Sequence, residues 1–180
     1  MKHSDVTINV TGQQFRAHKV ILATRSPVFA AMFEHPSKEN MTGIVDIADI
    51  EVNVFKELLR YIYTGQVPSL RMDEVAAGLL AAADKYLLVN LKKACGDHLI
   101  KQMSPENCVQ LLLLGENDPA YYLRKNAVDY CRKFPAEVMA TASWKKAIME
   151  IAPWMGDVIQ LMFESLNVKS RKTISRFPKK

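Results

Sequence analysis

Few side chains of this sequence are spaced for chemistry. Cys95 and His98 lie three residues apart in a predicted helix and could share a ligand face. A zinc site needs about four ligands, and nothing nearby completes this one. His18 could serve as a base, but no nucleophile accompanies it. The seven glycines never form a GxGxxG or GxxxxGK phosphate loop, and no GxSxG elbow occurs. The sequence therefore predicts no enzyme, no metal site and no cofactor, and a function in binding other molecules.

The elements that would position these residues are both strands and helices, which are predicted over the first hundred residues. Val6, Ile8 and Val10 are apolar and separated by polar residues, which is the period of a strand with one buried face. Residues 14–17 and 44–47 complete a predicted three-strand sheet. The polar stretch 35–43 is predicted to be a loop because it contains Pro and Gly. Residues 67–70 are predicted to be extended or irregular. Apolar periodicity predicts helices that cover the sheet, at 18–23, 28–34, 52–63, 72–84 and 87–102.

From residue 104 onward only helical patterns appear. Ser104 followed by Pro105 and, three residues on, Asn107 resembles a capping box at a helix start. Strands followed by helices predict an α+β fold, in which a small three-strand sheet with covering helices precedes an all-helical region. The helices of that region are predicted at 105–116, 120–133, 143–151 and 154–166.

The positive charge is concentrated at the C-terminus. The formal net charge is +5 over 180 residues, but the last twelve residues hold six basic groups and no acid. The rest is nearly neutral, so the charge does not argue for a nucleic-acid-binding domain. The tail is interpreted as a nuclear import signal, as a contact with an anionic surface, or as a solvated, disordered end. Its basic residues are Lys169, Arg171, Lys172, Arg176, Lys179 and Lys180.

Cysteine usage and hydropathy favour an intracellular protein, in the nucleus or the cytoplasm. The longest uncharged apolar run, Val75 to Ala83, is about half of what a bilayer span needs. No apolar stretch of signal-peptide length opens the chain. Three cysteines without a CxxC motif argue against a disulfide framework and for a reducing compartment.

Several motifs together resemble the BTB/POZ domain over residues 4–134. They are Phe15-Arg16-Ala17-His18-Lys19, Ser26-Pro27-Val28-Phe29, Tyr61-Ile62-Tyr63-Thr64-Gly65 and LLAAADKY at 79–86. That last motif, FEH at 33–35 and Ser143-Trp144-Lys145 are similar to the speckle-type POZ proteins of the MATH-BTB group. The resemblance implies a BTB/POZ domain at 1–103, post-BTB helices forming a partial BACK-like region at 104–168, and a basic disordered tail at 169–180.

The resemblance also implies a function. BTB domains are protein-interaction modules that form homo- or heterodimers. In the speckle-type group the domain binds a cullin scaffold, while a MATH domain holds the substrate. The chain is therefore expected to be a non-catalytic adaptor of a cullin–RING ubiquitin ligase, with no nucleic-acid, membrane or small-molecule partner. The implied cullin contact comprises Ser37, Glu39, Asn40 and Tyr86, and the implied dimer pocket comprises Asp5 and Lys19.

The sequence departs from the family's pattern in two places. The family's cullin-contact loop has an apolar residue two positions before a Glu; here Glu39 is kept, but Ser37 takes the apolar position. The sequence also opens almost at the first strand, without the family's MATH domain or the apolar helix of its dimer interface. Two alternatives stay open: a MATH-less assembly modulator that pairs with full-length MATH-BTB relatives, and a nuclear BTB scaffold. Asp5 is interpreted either as the partner of Lys19 in a charged pair or as a cap at the entry of the first strand.

Overall fold

The computed structural model describes residues 3–34, 37–67, 69–114 and 121–150. Of residues 38, 69–74, 121 and 148–150 only the backbone is described. The chain divides into two compact units, Met1–Leu99 and Ile100–Lys180, which we call unit 1 and unit 2. The predicted helix 154–166 and the basic tail 169–180 lie outside the described residues.

A three-stranded sheet lies in unit 1, with its first strand in the centre. The strands are β1 (Val6–Val10), β2 (Gln13–Ala17) and β3 (Ile44–Ile47), in the order β2-β1-β3. β1 runs antiparallel to β2 and parallel to β3. The hairpin turn between β1 and β2 has positive φ at Thr11 (47°) and Gly12 (94°), as a tight two-residue hairpin turn requires. The alternation predicted for β1 is confirmed, since every second residue from Val6 onward is buried.

Six helices of unit 1 accompany the sheet among the described residues. The predicted helices are all present, with ends that differ by a few residues, because the first backbone N–H groups of a helix need no partner within it and apolar periodicity does not mark them. α5 begins at Ser69, so the irregular segment predicted at 67–70 is wrong in its second half. The bounds are α1 (Lys19–Arg25), α2 (Pro27–Glu34), α3 (Lys38–Thr42), α4 (Val52–Thr64), α5 (Ser69–Lys85) and α6 (Val89–Lys101).

The loop predicted at 35–43 is wrong, because α3 lies within it. The helix is only five residues long and has no apolar periodicity to reveal it. Ser37 caps its N-terminus by accepting a hydrogen bond from the backbone N–H of Asn40. Gly43 ends it in the left-handed region at φ 66°, and its N–H donates to the carbonyl of Glu39.

The core of unit 1 joins the sheet to the helices through aromatic rings. Phe15 of β2 packs edge-on against Phe55 of α4, with ring centroids 5.2 Å apart. Phe29 of α2 stacks on Tyr86, which directly follows α5, with centroids 4.6 Å apart. The fully buried Ser26 joins the same two segments, since its hydroxyl donates to the carbonyl of Tyr86 over 2.8 Å and accepts from the N–H of Phe29.

Unit 2 is helical throughout its described residues. Its helices are α7 (Cys108–Leu114), α8 (Tyr121–Lys133), α9 (Pro135–Ala140) and α10 (Ala142–Glu150). α9 was not predicted, and α7 begins three residues later than predicted. The residues before α7 form a turn instead, in which the Asn107 side chain accepts from the N–H of Ser104 and donates to the carbonyl of Gln102. One buried cluster joins the four helices: Cys108, Val109, Leu112, Ala127, Cys131, Val138, Trp144 and Ala147.

Candidate functional site

Four of the predicted site residues meet in one hydrogen-bond network around α3. The half-buried Lys19 ammonium donates to the Asn40 backbone carbonyl over 2.8 Å and to its Oδ1 over 3.1 Å. It also lies 5.6 Å from the centroid of the Phe33 ring, within the range of a cation–π contact. The implied dimer pocket and the implied cullin contact are therefore not separate places, because Lys19 of α1 holds Asn40 of α3.

Asp5 meets Lys19 through the backbone. Its Oδ1 accepts a hydrogen bond from the N–H of Lys19 over 2.8 Å, at the first residue of α1. That N–H has no partner within the helix, so the carboxylate caps α1. Its negative charge also interacts favourably with the positive end of the helix dipole. Asp5 itself is exposed. The contact between Asp5 and Lys19 is thus a helix cap, whereas the Lys19 ammonium donates to Asn40.

Ser37 is fixed inside this network. Its hydroxyl donates to the carbonyl of Met32, which lies in α2, over 2.9 Å and accepts from the N–H of Asn40 over 3.1 Å. The side chain is half-buried. An apolar residue at this position would give up both bonds, so the departure from the family's pattern has a local structural reason.

The apolar side chain that α3 presents to solvent is Met41. It is 82% exposed, and Ile44 at the start of β3 is 50% exposed. Glu39 lines a small cavity of about 190 Å³ together with Thr42, Ile44 and Asp46. The family's pattern puts an apolar residue at position 37, where this chain has Ser37, and does not draw attention to Met41. Its residue type and place in the sequence are a signal, since Met41 is the one large apolar side chain between Pro36 and Gly43.

Tyr86 lies in the core. Its side chain stacks on Phe29 and the residue is 2% exposed. Burial raises the pKa of its phenol to about 12, with a smaller contribution from the Asp49 carboxylate. The Lys85 ammonium lies 5.6 Å from the centroid of its ring. The ring of Tyr86 is therefore buried against Phe29 and is not presented to a partner.

Cys95, a ligand candidate from the sequence together with His98, lies in the core. Cys95 is fully buried in unit 1, and burial raises the pKa of its thiol to about 12. Over the described ranges, no group of three or more His, Cys, Asp and Glu side chains could hold a metal ion. The same part of the chain contains no helix long and apolar enough to cross a bilayer. The six basic tail residues named above lie outside it.

Comparison with known proteins identifies the family. The BTB/POZ domain model matches residues 1–103, which include the sheet and the whole network around α3. The chain belongs to the BTB/POZ domain family. The BTB resemblance and the α+β BTB fold with further helices are confirmed. BTB domains are typically non-catalytic protein-interaction modules that dimerise with BTB proteins, and the chain contains one such module.

Two mouse proteins are similar to this BTB chain. It is 42% identical over 145 residues to TD and POZ domain-containing protein 4 of Mus musculus, which covers 81% of this chain and 39% of that protein. It is 42% identical over 150 residues to TD and POZ domain-containing protein 1 of Mus musculus, covering 83% and 41%. The chain thus spans about two fifths of the length of the curated relatives it matches.

A solved structure also resembles the chain. The BTB domain of zebrafish PATZ1 is 28% identical, with a TM-score of 0.46, and the match covers 56% of this chain and 77% of that one.

Proposed function

We propose that this BTB chain is a non-catalytic adaptor that binds a cullin scaffold through α3 and so links partners to a cullin–RING ubiquitin ligase. The observation that carries the proposal is the construction of α3. Ser37 and Gly43 cap the helix, Lys19 ties it to α1, and Met41 is left 82% exposed. The similarity to speckle-type POZ proteins, quoted above from the sequence, supports the cullin as the partner.

A pre-ordered helix suits a binding surface for an energetic reason. Ordering a flexible loop on binding costs free energy that reduces affinity. Here the hydrogen bonds from Ser37, Lys19 and Gly43 order the segment before any partner arrives. Met41 then offers an apolar side chain, and Glu39 offers a half-buried carboxylate, on the same helix.

The magnitude of the Met41 contribution can be bounded. Burying a Met-sized side chain in a partner's pocket stabilises a complex by about 1–3 kcal/mol. That corresponds to about ten- to a hundredfold in affinity. Ser37 contributes by holding α3 and makes no direct contact in this proposal.

The test is calorimetric binding of the cullin N-terminal domain to the full chain. Met41→Ser is expected to weaken binding about ten- to a hundredfold. Met139→Ser is the matched control, because Met139 is also exposed (39%) but lies on α9 of unit 2. Unchanged affinity of Met41→Ser would remove Met41 from the contact. An unmodified chain that binds no cullin at all would end the adaptor proposal.

Ser37→Met separates the family's pattern from the pattern proposed here. If position 37 must be apolar to contact the cullin, this substitution raises affinity. If Ser37 acts by capping α3, the substitution lowers affinity, because the bonds to Asn40 and Met32 are lost. We expect the decrease.

A second proposal concerns pairing with another BTB chain, which includes the possibility of modulating the assembly of MATH-BTB relatives. Val20 favours it, because this valine is 70% exposed on α1, directly after Lys19. Val20→Asp is expected to convert a dimer to a monomer in light scattering. Val89→Asp is the matched control, since Val89 is 74% exposed on α6 of the same unit. A dimer that persists in Val20→Asp would place the interface elsewhere.

A further inference from the structure

Two thiols face each other inside unit 2. The Sγ atoms of Cys108 and Cys131 are 3.7 Å apart. Both residues are buried, at 0% and 1% exposure, within the cluster that joins the four helices. Cys108 begins α7 and Cys131 lies near the end of α8, so the pair connects two helices across 23 residues of sequence.

We propose that Cys108 and Cys131 are a redox-active dithiol that a hydroperoxide converts to an intrachain disulfide joining α7 to α8. This modification site is independent of the adaptor function proposed for unit 1. Sequence spacing does not reveal the pair, because the two cysteines are 23 residues apart and form no CxxC motif.

The chemistry balances with one hydroperoxide as the oxidant. The Cys108 thiolate attacks the peroxide oxygen, the O–O bond breaks, and Cys108 becomes a sulfenic acid as hydroxide or alkoxide leaves. The Cys131 sulfur then attacks the Cys108 sulfur, its proton is released, and the sulfenic oxygen departs as water. Two thiols have lost two electrons and two protons, and the peroxide has been reduced to water, or to an alcohol and water.

Geometry supports the formation of this disulfide. A disulfide needs an S–S distance of about 2.05 Å, so the two sulfur atoms must approach by less than about 2 Å from where they lie. The Cys108 sulfur also lies 3.5 Å from the backbone carbonyl oxygen of Pro105. The thiols are also unequal. The hydrogen bond from Cys131 lowers the pKa of Cys108, whereas the same contact and burial raise the pKa of Cys131. These directions favour Cys108 as the thiolate in the first step.

Cys95 serves as an internal control for the facing pair of cysteines. Cys95 is the remaining cysteine of the three, is fully buried in unit 1, and has its pKa raised by burial. A general sensitivity of buried thiols to oxidant would involve Cys95 as well. If only the facing pair of Cys108 and Cys131 reacts, Cys95 stays reduced.

The experiment treats the full, folded chain with hydrogen peroxide, then denatures it, labels free thiols with a maleimide and maps peptides without reduction. We expect the free thiols to fall from three to one, a mass loss of two hydrogen atoms, and a cross-linked peptide pair containing Cys108 and Cys131. Dithiothreitol should restore all three thiols. Cys95→Ser should still lose two thiols, and Cys131→Ser should form no disulfide.

Oxidation in urea separates the folded geometry from chance pairing. In the unfolded chain Cys95 and Cys108 are only 13 residues apart, so loop entropy favours that pair. The folded chain should give Cys108–Cys131 instead. The proposal is overturned if the folded chain keeps three thiols, if Cys95 enters the cross-link, or if only disulfides between two chains form. Because the peptide map uses the unsubstituted chain, the result stands even if a cysteine variant fails to fold.

Discussion

Unit 1 and unit 2 differ in how far along the sequence their side-chain hydrogen bonds reach. In unit 1, side chains bond to groups far away in sequence: Lys19 to Asn40 across 21 residues and Ser26 to Tyr86 across 60. The described residues of unit 2 show local side-chain hydrogen bonds, such as those of Thr141 with Trp144 and Val138, and an apolar cluster joins the helices. Helices satisfy most of their own backbone groups, whereas short strands and a five-residue helix leave groups that distant side chains must satisfy. Four substitutions test this difference, in order of decreasing effect.

Trp144→Ala tests whether apolar packing holds the helices of unit 2 together. Trp144 is 4% exposed within the cluster, and truncation of a buried Trp costs about 3–5 kcal/mol. We expect a loss of that size in denaturant unfolding followed by far-UV circular dichroism. Trp144→Phe keeps most of the apolar area and should cost clearly less. A loss below about 1 kcal/mol for the Ala variant would mean that the cluster does not hold the helices together.

Ser26→Ala tests the long-range bond of unit 1. The substitution removes the hydroxyl donor to the buried Tyr86 carbonyl, and an unsatisfied buried acceptor costs about 1–3 kcal/mol. The control is Ser143→Ala, because Ser143 also donates to a distant carbonyl, that of Glu106, but in an exposed place where water can replace it. The free energy of unfolding should fall for Ser26→Ala and stay within about 0.5 kcal/mol for Ser143→Ala. Equal losses of stability in the two variants would contradict the expected difference between a buried and an exposed hydrogen bond.

Thr141→Ala tests a local bond of unit 2. The Thr141 hydroxyl accepts from the N–H of Trp144 in the first turn of α10 and donates to the carbonyl of Val138. Losing such a cap costs about 1 kcal/mol. Amide hydrogen exchange should rise in α9 and α10 only, and Thr141→Ser should restore protection. Increased exchange in α7 as well would show that the effect is not local.

Asp49→Asn tests a long-range pair that is exposed. The Lys85 ammonium is 2.7 Å from Asp49, and the two side chains are 45% and 61% exposed. The hydrogen bond from Lys85 lowers the pKa of Asp49 below its ordinary 3.8. A pKa that is lowered in the folded state stabilises the fold at pH values above the ordinary pKa. This stabilisation is lost as the pH falls through 3.8 toward the lower pKa of the folded state.

Solvent screens this pair, so its removal should cost less than about 1 kcal/mol at pH 7. Urea unfolding at several pH values should show a smaller acid-induced loss below pH about 4 for Asp49→Asn, and added salt should reduce the difference. A cost as large as that of Ser26→Ala would mean that distance in sequence matters more than burial.

The sequence predicts the parts of the molecule whose pattern is local. The alternation of β1 and the apolar stripe of α4 are such patterns, and both elements lie where they were predicted. α3 could not be found this way, since it is five residues long without apolar periodicity, and one of its contacts comes from Lys19, 21 positions from Asn40. The exposure of Met41 and the facing sulfurs of Cys108 and Cys131 depend on the packing of whole helices. Tyr86 was expected at a surface because a motif gives a residue's position in sequence but not the direction of its side chain.

The central position of β1 has a consequence for the order in which unit 1 forms. Arg16 of β2 follows its partner Thr7 after nine residues, whereas Ile44 of β3 follows the same Thr7 after 37. Closing the short loop costs less entropy, so we expect the hairpin to form early in synthesis and the parallel strand to join only after α1, α2 and α3 have been made. During that interval one edge of β1 has its N–H and C=O groups unpaired. A nascent chain of which only residues 1–34 had emerged from the ribosome would therefore offer that edge to the strand of another chain.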